Sequence, residues 1–176
     1  MPESEPDPEA ITSSDATNLR RVVLLTAACT AALGGLLFGF DIAIITGAGP
    51  YLRIHFGLSD LSLGWAFSSL LFGCVLGSLF TGRLADRSGR KPGLLWAAAL
   101  FTLTSILTAG AQTFAFFIAM RFLGGLAVGA VSILSPLYIA EIAPPRKRGK
   151  LGALYQMSIV AGVLLSYLTN YWLRNA

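Results

Sequence analysis

The chain has 176 residues, of which 55% are hydrophobic and only 12% charged, with a mean hydropathy of +0.68 and a formal net charge of +4. Soluble domains carry about 25% charged residues, so this composition excludes an ordinary water-soluble core and points to lipid as the solvent. The net charge hides an asymmetry: five of the nine acids (Glu3, Glu5, Asp7, Glu9 and Asp15) lie in the first fifteen residues.

Residues 1–19 are acidic and rich in Pro and Ser, a composition expected of a disordered tail. A cleaved signal peptide would start basic and have a short apolar core; here the start is acidic and the apolar run extends from Val22 to about Ala48. Five runs are long enough to cross a membrane, at roughly 22–49, 61–83, 93–111, 114–141 and 150–173. Backbone groups in lipid must bond within their own segment, so these spans are expected to be helices. A closed barrel would instead show alternating strands of about ten residues. Residues 109–113 form only a tight turn, making spans three and four an antiparallel pair.

The basic residues set the orientation. Arg20, Arg21, Arg83, Arg87, Arg90, Lys91, Arg146, Lys147, Arg148 and Lys150 fall on one side, Arg53 and Arg174 on the other. The positive-inside rule makes the first side cytoplasmic and places the N-terminus inside a cell membrane. Basic residues in short loops between spans do not make a nucleic-acid surface. Cys29 and Cys74 lie in apolar runs with neither disulfide nor metal spacing, and the single His55 lies in an outer loop, so no metal site is expected. No phosphate-binding loop, nucleophile elbow or HExxH motif occurs, and no enzymatic chemistry or cofactor is expected.

Two charges fall inside spans. Placing an acid or a base at mid-bilayer costs about 2.5–3.5 kcal/mol, so each must face a cavity or a partner. Asp41 lies nine residues before Pro50, and Arg121 seven after Phe114. At 1.5 Å per residue they sit roughly 13 and 10 Å below the outer surface, close enough in depth to pair. Such a pair either simply neutralises itself or forms a switchable proton carrier. Burial opposes ionisation of a carboxyl while a guanidinium promotes it, so a small helix movement can shift the balance. Arginine suits the partner's role because it does not deprotonate.

Gln156, early in span five, offers two donors and an acceptor, suited either to a hydroxyl-rich ligand or to a helix–helix contact. Asp86 and Glu141 lie at helix C-termini, where the dipole disfavours acids unless cations meet them. Arg83, Arg87 and Arg90, and Arg146, Lys147 and Arg148, are the nearby candidates for a cytoplasmic charge network; separate solvated charges are the alternative. Gly34-Gly35-Leu36-Leu37-Phe38-Gly39 in span one is echoed by Gly124-Gly125-Leu126-Ala127-Val128-Gly129 in span four. Two oppositely directed spans carrying one pattern fit an inverted duplication, or two independent small-residue packing faces.

The stretch Gly82-Arg83-Leu84-Ala85-Asp86-Arg87-Ser88-Gly89-Arg90-Lys91 resembles the signature loop of the major facilitator superfamily. Pro136, Tyr138, Glu141, Pro144, Arg148 and Gly149 resemble the pattern after the fourth helix in its sugar porter family. Arg121 with Gly124, Gly125 and Gly129, and Gly39-Phe40-Asp41 with Gly47, are similar to that family's fourth and first helices. The resemblance implies an all-α integral membrane fold: five transmembrane helices forming part of the N-terminal six-helix half of a twelve-helix transporter. It implies a secondary-active sugar transporter, with Asp41 and Arg121 as the proton-coupling pair and Gln156 as a sugar ligand. Arg83, Asp86, Arg87, Arg90, Glu141 and Arg148 would form the inner gate network, and the proton is the coupling ion. Val163 is apolar where some proton-coupled members carry a second glutamine. The expected partners are a sugar, in the first instance a monosaccharide, the lipid bilayer, and a C-terminal half or a completing partner. The alternatives are a passive facilitator, a membrane protein that does not transport by itself, and a sugar receptor.

Overall fold

The protein is described by a computed structural model covering residues 8–175, excluding the side chains of 8–21, 23, 27, 31, 83–88 and 175. Five helices follow in order: α1 Pro8–Phe56, α2 Asp60–Ser88, α3 Arg90–Ala109, α4 Phe114–Ile142 and α5 Pro145–Asn175. Each contains a segment long and apolar enough to cross a membrane, and that of α1 is Leu24–Phe56. The architecture is therefore all-helical with five candidate spans.

Helix boundaries depart from expectation at four places. α1 is helical from Pro8, inside the segment read from sequence as a tail. Proline suits a first helical position, and no glycine or further proline interrupts the chain until Gly34. α1 also runs past Pro50 to Phe56, and α5 begins at Pro145 rather than near residue 150. The largest difference is the basic stretch 82–91, expected to be a loop. α2 stays helical to Ser88 and α3 starts at Arg90, so Gly89 alone joins them. Gly89 has φ +84° and ψ 161°, an extended positive-φ conformation that a residue with a Cβ adopts only at a cost.

α4 is the central helix and packs on both α2 and α3, while α1 packs chiefly on α5. Glycine lets these backbones approach closely, as membrane helices require in the absence of a hydrophobic drive between them. On α1, Gly35 meets the Tyr155 carbonyl and Gly39 that of Ile159, while Gly162 of α5 meets the Leu36 carbonyl. On α4, Gly125 meets the Leu70 carbonyl and Gly129 that of Cys74, while Gly77 of α2 meets the Leu126 carbonyl. The α4 partners stand 90 positions after those of α1, and the α5 partners 85 after those of α2. The glycine echo in the sequence thus corresponds to one contact pattern used twice, as an inverted repeat requires. Large apolar side chains such as Leu71, Phe80, Trp96, Ile106 and Leu164 point outward, as expected where lipid is the solvent.

Candidate transport and coupling site

The bundle brings the two buried charges together. Arg121 Nη1 of α4 donates to Asp41 Oδ1 of α1 at 2.7 Å, with side chains only 8% and 14% exposed. Their placement follows from the repeat. Asp41 lies two residues after Gly39, which seats α1 on α5. Arg121 lies one turn before Gly124 and Gly125, which seat α4 on α3 and α2. Both side chains therefore project from helices whose positions are fixed by glycine contacts. Asp41 Oδ2 and Arg121 Nε and Nη2 are buried and have no hydrogen-bond partner among the described residues, so the pair uses one hydrogen bond where a guanidinium and a carboxylate can form two.

A cavity of about 470 Å³ opens onto this pair, with walls supplied by α1, α2, α3 and α4. Most of its lining is apolar, including Ile45, Leu70 and Phe117. Thr104, Ser105 and Thr108 of α3 supply its hydroxyls. Sequence reasoning missed these three. Their spacing of one and four residues, which puts two of them on one helical face, was the available signal.

At the other end of the bundle, Arg90 Nε at the start of α3 donates to Glu141 Oε1 near the end of α4, at 2.9 Å. The side chains are 23% and 45% exposed. Two of the residues expected in a cytoplasmic charge network are thus in contact. Arg148 is used differently: its Nε donates to the Ala143 carbonyl at 3.0 Å. That contact caps α4, where the dipole and unpaired carbonyls attract a cation. The side chains of Arg83, Asp86 and Arg87 lie outside the described residues.

Gln156 is exposed on α5, and α5 contributes nothing to the wall of the Asp41–Arg121 cavity. The structure therefore leaves Gln156 apart from the ion pair. Asn170, near the end of α5, packs on Gly47 and donates through Nδ2 to the Ile44 carbonyl at 3.4 Å, tying α5 to α1.

The "Sugar (and other) transporter" family profile matches residues 27–176. The chain is 42% identical over 167 residues to a glucose transport protein of Synechocystis sp., covering 95% of this chain and 35% of that relative. It is 39% identical over 161 residues to the arabinose-proton symporter of Escherichia coli K12, covering 92% of this chain and 34% of the relative. A crystal structure of a D-xylose-proton symporter superposes with a TM-score of 0.78 at 35% identity, over 85% of this chain and 40% of that one. A major facilitator superfamily proton:xylose symporter bound to 6-bromo-6-deoxy-D-glucose gives a TM-score of 0.80 at 35% identity, over 87% and 38%. The chain spans about a third of the length of these curated relatives. Its helices form part of a major facilitator fold in a multi-pass membrane protein, and its relatives are transporters rather than enzymes. The chain belongs to the Sugar (and other) transporter family.

Proposed function

We propose that this chain is the N-terminal part of a sugar transporter that works as a proton symporter by alternating access, with its N-terminus in the cytoplasm. The observation that carries this reading is the buried Asp41–Arg121 ion pair. The names of relatives such as the arabinose-proton and galactose-proton symporters support the coupling ion and the substrate class.

In this reading Asp41 carries the proton and Arg121 reports its charge state. While Asp41 is ionised, the pair holds α1 and α4 together. At an effective dielectric constant of about 20, two unit charges about 4 Å apart attract by about 4 kcal/mol. Carrying a two-state equilibrium from about 1:99 to 99:1 needs about 5.5 kcal/mol. Protonating Asp41 therefore removes an attraction of the same order as the bias that a change of access requires, before the desolvation cost of the two ions is set against it. Gln156 on α5 binds sugar hydroxyls. The Arg90–Glu141 contact, with Arg83, Asp86, Arg87 and Arg148, forms the inner gate. The remainder of the sugar site and the opposing face of the gate come from the further length that the relatives possess, in the same polypeptide or in a completing partner.

The test is sugar-driven proton movement. A full-length transporter carrying this segment, added sugar in a weakly buffered suspension, should draw protons inward and alkalinise the medium. Sugar uptake without any proton movement would identify a passive facilitator instead.

A further inference from the structure

If Asp41 carries the proton, the proton must reach a carboxylate that is nearly buried. The cavity lined by α1, α2, α3 and α4 has the chemistry for that passage. Its polar side chains come from α1, α3 and α4. Thr104, Ser105 and Thr108 lie along α3, and Asp41 and Arg121 lie at the inner end. Two of the hydroxyls already spend their protons within α3: Thr104 Oγ1 donates to the Leu100 and Phe101 carbonyls at 2.9 and 3.0 Å, and Thr108 Oγ1 to the Thr104 carbonyl at 2.7 Å. What they still offer the cavity is lone pairs. A row of acceptors suits water, and suits a water carrying an excess proton better still.

The inner end offers complementary groups. Among the described residues, Asp41 Oδ2 is an unused acceptor, and Arg121 Nε and Nη2 are unused donors. Buried water needs two to four polar partners and about 30 Å³ of liquid volume per molecule. The cavity's volume of about 470 Å³ exceeds that many times over. Its Ala48, Leu52 and Thr108 walls reach toward the end of the bundle that carries the α1–α2 and α3–α4 connections. α5, which bears Gln156, takes no part in it.

We infer that this cavity is a water-filled proton passage leading from the α3–α4 connection to Asp41, with Thr104, Ser105 and Thr108 as its polar wall, so that proton and sugar approach by different faces of the bundle. The inference rests on the proton-carrier reading of Asp41. In the step itself, a hydrated proton in the cavity gives H⁺ to Asp41 Oδ2. One O–H bond of the hydronium breaks and an O–H bond forms on the carboxylate. A neutral water remains, and Arg121 loses its anion.

The test uses a full-length transporter carrying this segment, with Cys29 and Cys74 replaced by alanine. Thr108→Cys should react with a small cationic methanethiosulfonate much faster than Leu103→Cys, which is on the outward face of the same helix, because a hydrated thiolate is the species that attacks the reagent's sulfur. Ala48→Leu narrows the passage and Thr108→Val removes one acceptor; both should slow sugar-driven proton uptake while leaving sugar exchange intact. Equal labelling of the two cysteines, or unchanged proton uptake in both Ala48→Leu and Thr108→Val, overturns the passage. Asp41→Asn, run in parallel, separates the two ideas. If it abolishes coupling while the passage variants do nothing, the carrier stands and the route is wrong. If it leaves coupling intact, the carrier reading fails and the passage with it.

Discussion

Gly39 of α1 and Gly129 of α4 occupy equivalent places in two copies of one contact: Gly39 lies against the Ile159 carbonyl of α5, and Gly129 against the Cys74 carbonyl of α2. The two contacts seat the helices that carry Asp41 and Arg121. The site is thus held in place by packing that has no chemistry of its own.

Substituting either glycine tests this directly. A methyl group at Gly39 or Gly129 would overlap backbone, which cannot move aside as a flexible side chain does. Gly39→Ala and Gly129→Ala should each destabilise the bundle by about 1–3 kcal/mol, the usual cost of overpacking. Gly64 of α2 has nothing within 4 Å of such a methyl, so Gly64→Ala should be neutral or stabilising by up to about 1 kcal/mol through helix propensity. Thermal unfolding in detergent ranks the three, and equal midpoints would show that the glycines do not fix the packing.

Gly89 should be sensitive for another reason. With φ at +84°, it has to adopt a conformation that costs most other residues about 1–3 kcal/mol. Gly89→Val and Gly89→Asn should both lower stability, because with ψ at 161° the residue lies in an extended positive-φ region that essentially only glycine occupies. Unfolding midpoints in the same detergent decide it.

These sites also mark what could be seen in the sequence. The five spans were legible because lipid forces long apolar helices, and the Asp41–Arg121 pair because a charge inside a span demands a partner. The glycine echo was visible, but which carbonyl each glycine meets depends on how the helices cross. The stretch 82–91 looked like a loop because its charge pattern is that of one. Nothing in the charge pattern reveals that helix continues to Ser88 and that a single glycine makes the turn. Thr104, Ser105 and Thr108 were overlooked because hydroxyls are common in membrane helices, and only the cavity distinguishes these three. Arg148 enters the gate network through the family resemblance, and the carbonyl end of α4 competes for the same guanidinium.

The Arg90–Glu141 contact should matter more for access than for stability. Both side chains are partly exposed, and a pair of that kind contributes about 0–1 kcal/mol. A double-mutant cycle with Arg90→Ala and Glu141→Ala should therefore give a coupling energy in that range in unfolding experiments. In a full-length transporter the same variants should increase labelling of the cytoplasmic side by impermeant reagents. Unchanged labelling would remove the pair from the gate.

Gln156 is exposed, so removing its amide should leave the fold intact. If it hydrogen-bonds sugar, Gln156→Ala should weaken sugar affinity by about 0.5–1.5 kcal/mol, the net value of a typical hydrogen bond. Competition by unlabelled sugar measures this, and unaltered affinity would remove Gln156 from the sugar site.

The central claim is that the carboxylate facing Arg121 carries the coupled proton. The most direct measurement compares Asp41→Asn with the parent in one full-length transporter, recording uphill sugar accumulation and sugar exchange in the same vesicles. Loss of accumulation with exchange retained is the expected result. Accumulation equal to the parent's, with Asp41 gone, would contradict the account.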